Sequence, residues 1–166
     1  MNSHSRALLV GCGALFSGGA LAAPFAVTLS PHDAALRCHA RATPALTLTA
    51  PPAGTRSLAL VFWDQRPGKL SGRWVAYDVP VTALNWKSGA ASTFRPGGGK
   101  VGVNDAGKPG YTAPCGLGRH DVYVDAYALN VASLGFPAGA PLRRVHAAIH
   151  RHKLLEARAH VVAQGQ

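Results

Sequence analysis

NDAGKPGYTAPCGLGRHDVYVDAY, residues 104–127, is the most informative stretch of the chain. Its first half is rich in Gly, which lets backbone amides approach one another or a ligand, and in Pro, which restricts the chain. From His120 onward β-forming residues follow almost without interruption, which predicts a central strand. A rigid loop leading into such a strand is a common frame for a binding pocket, although an ordered loop without a ligand has the same composition. The polar and reactive side chains of the stretch are Asp105, Lys108, Tyr111, Cys115, His120 and Asp121.

Length and composition favour one loop-rich domain. The 166 residues fit the ~100–200 residues of a typical domain, and the 48% hydrophobic content excludes a chain that is disordered throughout. With 19 Gly, 12 Pro and only 14% charged residues, a β or α+β domain is favoured over a helical bundle. The formal net charge of +10 suits an anionic partner such as a lipid headgroup or an acidic polymer. Scattered basic residues can also serve solvation alone.

The first 22 residues have the features of a cleaved signal peptide. Arg6 supplies a positive start, residues 7–19 are apolar, and Ala20-Leu21-Ala22 is a cleavage signal. We therefore predict a signal peptide at residues 1–22, a single mature domain at residues 23–166, and a periplasmic or secreted protein. Residues 9–12 (LVGC) are similar to a lipoprotein box, but the apolar run before Cys12 is short, so lipidation is the less favoured alternative. No later apolar run approaches the ~20 residues that a membrane span needs.

Export determines how the cysteines are interpreted. Removal of Cys12 with the signal peptide leaves Cys38 and Cys115. Two thiols in an oxidising compartment are most simply one disulfide, so we predict a Cys38–Cys115 bond. The alternative is a reactive Cys115 beside His120, which a disulfide would remove.

Hydrophobic patterning predicts a mostly β protein with one late helix. The predicted strands are residues 25–29, 45–49, 57–64, 73–80, 120–130 and 155–162. The helix is predicted at residues 140–152, because Pro141 suits its first turn and Leu142, Val145 and Ile149 share one face. Residues 65–72 and the Gly-rich residues 84–103 are predicted loops, the second long and exposed. This order indicates a mostly antiparallel β-sandwich with a peripheral C-terminal helix.

Several segments occur in an order that resembles a known family. They are residues 44–46 (PAL), 51–60 (PPAGTRSLAL), 57–64, 74–80, 104–111 (NDAGKPGY), 114–115 (PC), 118–120 (G-x-H) and 127–129 (YAL). Together they resemble the phosphatidylethanolamine-binding protein (PEBP) family, in its bacterial YbhB/YbcL-type, Raf-kinase-inhibitor-like branch, over residues 38–162. The resemblance implies a large β-sandwich with a small anion-binding pocket at one end. It also implies ligands with phosphate-bearing groups and no general catalytic activity.

The resemblance further implies a pocket built from two loops. In the first loop the family has D-P-D-x-P, and here Asp64-Gln65-Arg66-Pro67 keeps the first acid but has Arg66 near the second. The family His before the strand Trp is Arg73 here. The second loop matches the family at Tyr111, Pro114 and His120. The ligand-binding residues implied are therefore Asp64, Arg66, Arg73, Trp74, Tyr111, Pro114 and His120.

Three polar positions of this pocket are altered. Two of the altered positions are Arg66 and Arg73, which add permanent positive charge. Each guanidinium also presents a planar arrangement of N–H donors that suits phosphate or carboxylate. We expect Asp64 to hold Arg66 or Arg73. Asp121, where the family has Arg, either orients His120 or lies on the surface. Two functions remain open: an anion pocket of changed selectivity, or a vestigial pocket in an inhibitor or interaction protein that presents a loop or basic helix to a partner.

The remaining signals are weaker. His146 and His150 have the i, i+4 spacing of a Zn²⁺ site, but no carboxylate or cysteine lies within a turn, so we predict neither a metal site nor a cofactor. The basic residues around them form a solvated face or dock on an anionic membrane surface. The three Trp residues do not form a stripe with basic residues of the kind that binds nucleic acid, so no nucleic-acid partner is expected. A nucleophile formed by Cys115, His120 and Asp121 is conceivable, but we expect no enzyme.

Overall fold

The computed structural model describes residues 23–90 and 98–165, so the predicted signal peptide at residues 1–22 lies outside the described residues. The strands in these ranges are β1 (Val27–Leu29), β2 (Ala42–Thr43), β3 (Leu46–Leu48), β4 (Ser57–Arg66), β5 (Lys69–Val79), β6 (Asn85–Trp86), β7 (Gly89–Ala90), β8 (Lys100–Val101), β9 (Gly118–Leu129) and β10 (Lys153–Gly165). A 3₁₀ turn spans Ala34–Leu36, and helix α1 spans Leu142–His152. The six predicted strands and the helix are present, with bounds that differ by a few residues.

A five-stranded antiparallel sheet in the order β10-β9-β4-β5-β8 is the centre of the fold. One of its faces packs against the small sheet β1-β3-β6, and the other packs against α1. Alternate residues of β4 therefore enter different cores: Leu58, Leu60 and Phe62 face the small sheet, while Val61 and Trp63 face the helix. The predicted fold is confirmed as an antiparallel β-sandwich with a C-terminal helix.

Helix α1 covers the second face through a narrow apolar stripe. Leu142, Val145, Ala148 and Ile149 are buried at helical spacing, as the periodicity predicts. Basic side chains occupy the last turn, where they complement the partial negative charge of the helix end. Within the described ranges, no helix combines the length and the apolar character that crossing a membrane requires.

The two predicted loops are corrected by the structure. Residues 65–72 form the end of β4, a tight turn in which Gly68 has a φ of 70°, and the start of β5. Residues 84–103 contain β6, β7 and β8, which pair with β3, β2 and β5, and residues 91–97 lie outside the described residues. A strand of two residues is too short to show an alternating pattern in the sequence. Its formation depends on pairing with a strand that is distant along the chain.

A β-bulge interrupts the β4–β5 pairing at the position of one predicted site residue. Phe62 pairs with Trp74 and Trp63 pairs with Gly72, so Arg73 is an extra residue on β5. A bulge changes the direction of the side chain at the extra position, and bulges are common beside functional sites. The bulge therefore takes Arg73 out of the alternation that the sequence pattern assumes.

We expect Gly72→Ala to lower the free energy of unfolding by about 1–3 kcal/mol, the usual cost of overpacking. A Cβ at this position would lie 2.7 Å from both methyl carbons of Leu142 in α1. The φ of Gly72 is not in the left-handed region, so the cost would come from this contact between sheet and helix. Urea denaturation of both proteins measures it. An unfolding midpoint equal to that of the wild type would contradict the close approach of α1 to β5.

Candidate functional site

A buried carboxylate joins two of the predicted site residues near the end of β4. Asp64 is 1% exposed. Its Oδ1 lies 2.7 Å from Nδ1 of His120, and its Oδ2 accepts hydrogen bonds from Nε of Arg73 at 3.0 Å and from Nη2. Burial of a charge is costly unless it is paired, and Asp64 has basic side chains on both sides. The structure thus brings together residues of β4, β5 and β9 that lie as many as 56 positions apart.

His120 links this carboxylate to the loop before β9. Its side chain is fully buried, and Nε2 lies 3.1 Å from the carbonyl oxygen of Gly116. Both neighbours of the ring are acceptors, so both hydrogen bonds form together only when both ring nitrogens carry a proton. Gly116 has a φ of 117°, a conformation in which other residues are strained. The glycine of the PC-G segment is therefore part of the support for His120.

Two roles were expected for Asp121, orienting His120 or lying on the surface, and the structure shows the second. Its carboxylate accepts hydrogen bonds from Arg119, at 2.7 Å from Nη2, and lies 2.9 Å from Nε2 of His160. The hydrogen bond from Arg119 and then the one from His160 lower the pKa of the Asp121 carboxyl. Asp64, and not Asp121, orients the imidazole of His120.

Tyr111 and Trp74 form walls behind the site. The hydroxyl of Tyr111 donates a hydrogen bond of 2.8 Å to the carbonyl of Ala35, and the ring meets Phe62 edge to face at 5.4 Å. Burial raises the pKa of Tyr111 far above its usual value, so this hydroxyl remains a donor. Trp74 is fully buried and meets Trp86 edge to face at 5.6 Å. Pro114 is also buried, so all three predicted residues are shielded from solvent.

Arg66 lies close to the same loop. An added Cβ at Gly116 would lie 2.9 Å from Nη1 of Arg66, so this guanidinium rests against the loop that supports His120. Asp64 forms its ion pair with Arg73. Of the two partners that we expected for Asp64, the structure therefore shows Arg73.

The predicted disulfide is confirmed. Cys38 and Cys115 are bonded, with a Cα–Cα distance of 4.7 Å. The backbone N–H of His39 donates to Sγ of Cys115 at 3.3 Å. The bond fixes the residues after Cys38 against the loop before β9. Because both sulfurs are engaged, the alternative of a nucleophilic Cys115 no longer applies.

Asn104 explains why the NDAGKPGY loop has a defined shape. It is 4% exposed, its Oδ1 accepts from the N–H groups of Ala106 and Lys108, and its Nδ2 donates to the carbonyl of Gly110 at 3.0 Å. One buried side chain therefore satisfies the backbone groups that a loop leaves unpaired. This hydrogen bonding sets the positions of Lys108 and Tyr111.

Asp105 ties the same loop to β5 and α1. Its Oδ2 accepts from the N–H of Gly72 at 2.7 Å, and Oδ1 accepts from Nε of Arg143 at 3.1 Å. Burial alone would raise the pKa of this carboxyl, but the hydrogen bonds from Arg143 and Gly72 outweigh it and lower the pKa. The loop is thus anchored at two points.

A cavity of about 600 Å³ opens between this loop and the segment after Cys38. Three of the residues predicted for the site line it: Arg73, Tyr111 and the disulfide-bonded Cys115. The other predicted residues do not line the cavity: Asp64, Trp74, Pro114 and His120 are buried, and Arg66 also lies outside the lining. The other lining residues, which the sequence analysis did not predict, are His39, Ala40, Arg41, Ala106, Lys108, Pro109, Thr112 and Ala113.

The cavity wall is basic. Arg41, Arg73, Lys108 and His39 contribute cations or titratable nitrogens, and none of the described lining residues is acidic. One signal could have identified His39 and Arg41: a disulfide from Cys38 to Cys115 requires the neighbours of Cys38 to lie beside the second loop.

The fold and the cavity define an antiparallel β-sandwich protein with a positively charged pocket at the end of the sheets. Residues 17–164 match the family model described as phosphatidylethanolamine-binding protein, and the chain belongs to this family. A UPF0098 protein of Aquifex aeolicus is 35% identical over 115 residues, which are 67% of this chain and 66% of that protein. A UPF0098 protein of Methanothermobacter thermautotrophicus is 32% identical over 119 residues, which are 70% of this chain and 78% of that protein.

Two crystal structures have the same fold. Escherichia coli YbcL, described as a member of the mammalian PEBP family, superposes with a TM-score of 0.75 at 22% identity, covering 87% of this chain and 100% of YbcL. A PEBP homolog of Chlamydia trachomatis superposes with a TM-score of 0.72 at 24% identity, covering 86% of this chain and 98% of the homolog. At these identities the similarity concerns the fold.

Proposed function

We propose that the mature protein is an exported, non-catalytic binding protein that holds a small anion, phosphate-like or carboxylate, in the cavity at the end of the sandwich. The observation that carries this proposal is the charge of the wall. Three permanent or near-permanent cations, Arg41, Arg73 and Lys108, line the cavity, and none of the described lining residues is acidic. Such a concave basic surface concentrates anions.

Arg73 is the best-placed ligand donor. Its Nε and Nη2 are held by Asp64, whereas Nη1 takes no part in that pair. The side chain is 14% exposed and lines the cavity, so the guanidinium is fixed before a ligand arrives. A fixed donor loses little conformational entropy on binding. The charge of Arg73 and the planar shape of its guanidinium suit an oxyanion.

His120 has a positioning role in this proposal. Both of its ring nitrogens already face acceptors, Asp64 and Gly116, and its side chain is fully buried. It therefore supports Asp64, which in turn supports Arg73. Tyr111 supplies a wall, and Arg41 and Lys108 supply charge at the exposed rim.

An oxyanion of this kind has two sources. It belongs either to the phosphate of a lipid headgroup or to a free phosphorylated or carboxylated small molecule. The family name and the basic wall support an oxyanion in either case. Location in the periplasm or outside the cell is part of the proposal. It is supported by the signal-peptide pattern of residues 1–22 and is consistent with the disulfide.

Calorimetric titration of the mature chain with inorganic phosphate, phosphoethanolamine and acetate tests the proposal. We expect Arg73→Ala to weaken binding of the preferred anion by about tenfold or more, because a hydrogen bond to a charged group contributes about 1.5–3 kcal/mol. Arg119→Ala is the matched control, since Arg119 pairs with Asp121 outside the cavity. Binding should also weaken as salt is added.

A second variant separates binding from folding, because Arg73→Ala leaves Asp64 with a single partner. Arg41 is exposed at the rim, so Arg41→Ala should weaken binding while leaving the unfolding midpoint unchanged. Preference for phosphoethanolamine over phosphate indicates a headgroup, and the reverse indicates a free anion. Equal affinity in wild type, Arg73→Ala and Arg41→Ala would refute the cavity as the binding site.

The second candidate function is an interaction module whose cavity is vestigial. Two surface features favour it: the exposed basic side chains of α1, such as Arg144 and Arg151, and Leu117, which is 89% exposed between two glycines. This candidate replaces the first if none of the three anions binds the wild-type protein.

A further inference from the structure

A second polar cluster lies on the helix-covered face of the large sheet. Its buried centre is Asp125 on β9, which is 1% exposed. Asp125 accepts hydrogen bonds from Nε1 of Trp63 at 3.0 Å and from Nη2 of Arg158 at 2.9 Å. Tyr127 connects this carboxylate to the helix, because its hydroxyl lies 3.3 Å from Oδ2 of Asp125 and 3.1 Å from Nε2 of His146. The anion-binding proposal uses none of these groups.

Two imidazoles of α1 converge above this centre. Nε2 of His146 and Nε2 of His150 are 3.0 Å apart, and the ring centroids are 4.4 Å apart. The i, i+4 spacing places both rings on one side of the helix. Two ring nitrogens that face one another at this distance are held together either by a shared proton or by a cation that accepts an electron pair from each.

The spacing selects a coordination geometry. A metal ion about 2.1 Å from each nitrogen would make an N–metal–N angle of about 90°, the angle of neighbouring ligands in square-planar or octahedral complexes. A tetrahedral ion requires a wider angle and a larger separation. The observed distance therefore suits Cu²⁺ or Ni²⁺ better than structural Zn²⁺.

We propose that His146 and His150 form a binding site for a divalent transition metal ion of tetragonal preference, Cu²⁺ or Ni²⁺. No metal was expected from the sequence, because no carboxylate or cysteine lies within a helical turn. Glu156 of β10 lines the same cavity of about 210 Å³ as both histidines, but its carboxylate is paired with Lys153 at 2.8 Å, so it contributes negative charge near the site and the two imidazoles are the protein ligands. The remaining ligands are water molecules, which this cavity can hold.

The surroundings accommodate the added charge. Two guanidiniums line the cavity, but Arg158 is paired with Asp125, and Arg143 is paired with Asp105. The hydroxyl of Tyr127 keeps Asp125 as an acceptor when His146 gives its Nε2 electron pair to a metal. His150 is exposed, so an ion reaches the pair from solvent without a change of fold.

Trp63 provides a direct signal for the test. Its ring centroid lies 4.9 Å from that of His146, and a paramagnetic ion at the histidine pair should quench its fluorescence. The tag-free mature protein, stripped of metal with a chelator, is titrated with Cu²⁺ and with Ni²⁺. We expect saturation at one equivalent, and Trp63→Phe should remove most of the quenching while calorimetry still shows one ion bound.

His150→Ala is the decisive variant, and His152→Ala on the same helix is its matched control. Loss of one of two nitrogen ligands should weaken binding by about tenfold or more, a typical effect of removing metal-site interactions. His152→Ala should bind as the wild type does. The proposal is overturned if His150→Ala keeps wild-type affinity, or if Trp63→Phe leaves the quenching unchanged.

Discussion

Removal of the Cys38–Cys115 disulfide is expected to lower the free energy of unfolding by about 4 kcal/mol. The bond joins residues separated by 77 positions, and the chain-entropy model assigns a stabilisation of this size to a loop of such length. The effect acts on the unfolded chain, which gains conformational freedom when the loop is opened. Denaturant unfolding of the mature protein with and without a reducing agent measures the difference.

The double variant Cys38→Ala/Cys115→Ala is the control for this experiment. It should unfold at the same denaturant concentration with and without reductant, and close to the reduced wild type. Reduction should also weaken anion binding, because the disulfide holds His39 and Arg41 at the cavity wall. Identical midpoints for oxidised and reduced wild type would show that the bond does not stabilise the fold.

Asp64→Asn is expected to lower the free energy of unfolding by about 3–5 kcal/mol, the cost of breaking a buried ion pair from one side. The asparagine keeps the volume but removes the charge that compensates Arg73 and accepts from His120. His120 is fully buried, so the imidazole cannot turn to water for a new partner. Urea denaturation gives the difference directly.

Asp121→Asn is an unusually close control, because Asp121 also faces one arginine and one histidine, Arg119 and His160. Those partners are substantially exposed, and water replaces lost contacts there. We expect no comparable loss in this variant. If both substitutions shift the midpoint equally, burial is not what makes the Asp64 network stabilising.

The elements that could be predicted are those whose signal is local. Residues 57–64 and 120–130 are apolar enough to specify strands by themselves, and the stripe of Leu142, Val145 and Ile149 specifies the helix. The disulfide followed from only two cysteines being left after the expected cleavage. The family resemblance then pointed to Asp64 and His120, whose side chains the structure places 2.7 Å apart.

The parts that could not be predicted depend on contacts between distant segments. β6, β7 and β8 exist only through their partners, and the bulge at Arg73 is a property of the β4–β5 register. His39 and Arg41 enter the cavity because a covalent bond brings their segment there. The predicted disulfide was the signal available for them, because it requires the neighbours of Cys38 to lie beside the second loop.

The extra residue on β5 has a consequence for how such a cavity can diversify. Gly72 and Trp74 keep their partners on β4 whatever side chain stands between them. A substitution at position 73 can therefore exchange a guanidinium for an imidazole or an amide without moving the sheet, provided the new group still suits Asp64. Ligand preference can therefore change through one substitution at position 73, whereas the architecture depends on the whole set of pairings between β4 and β5.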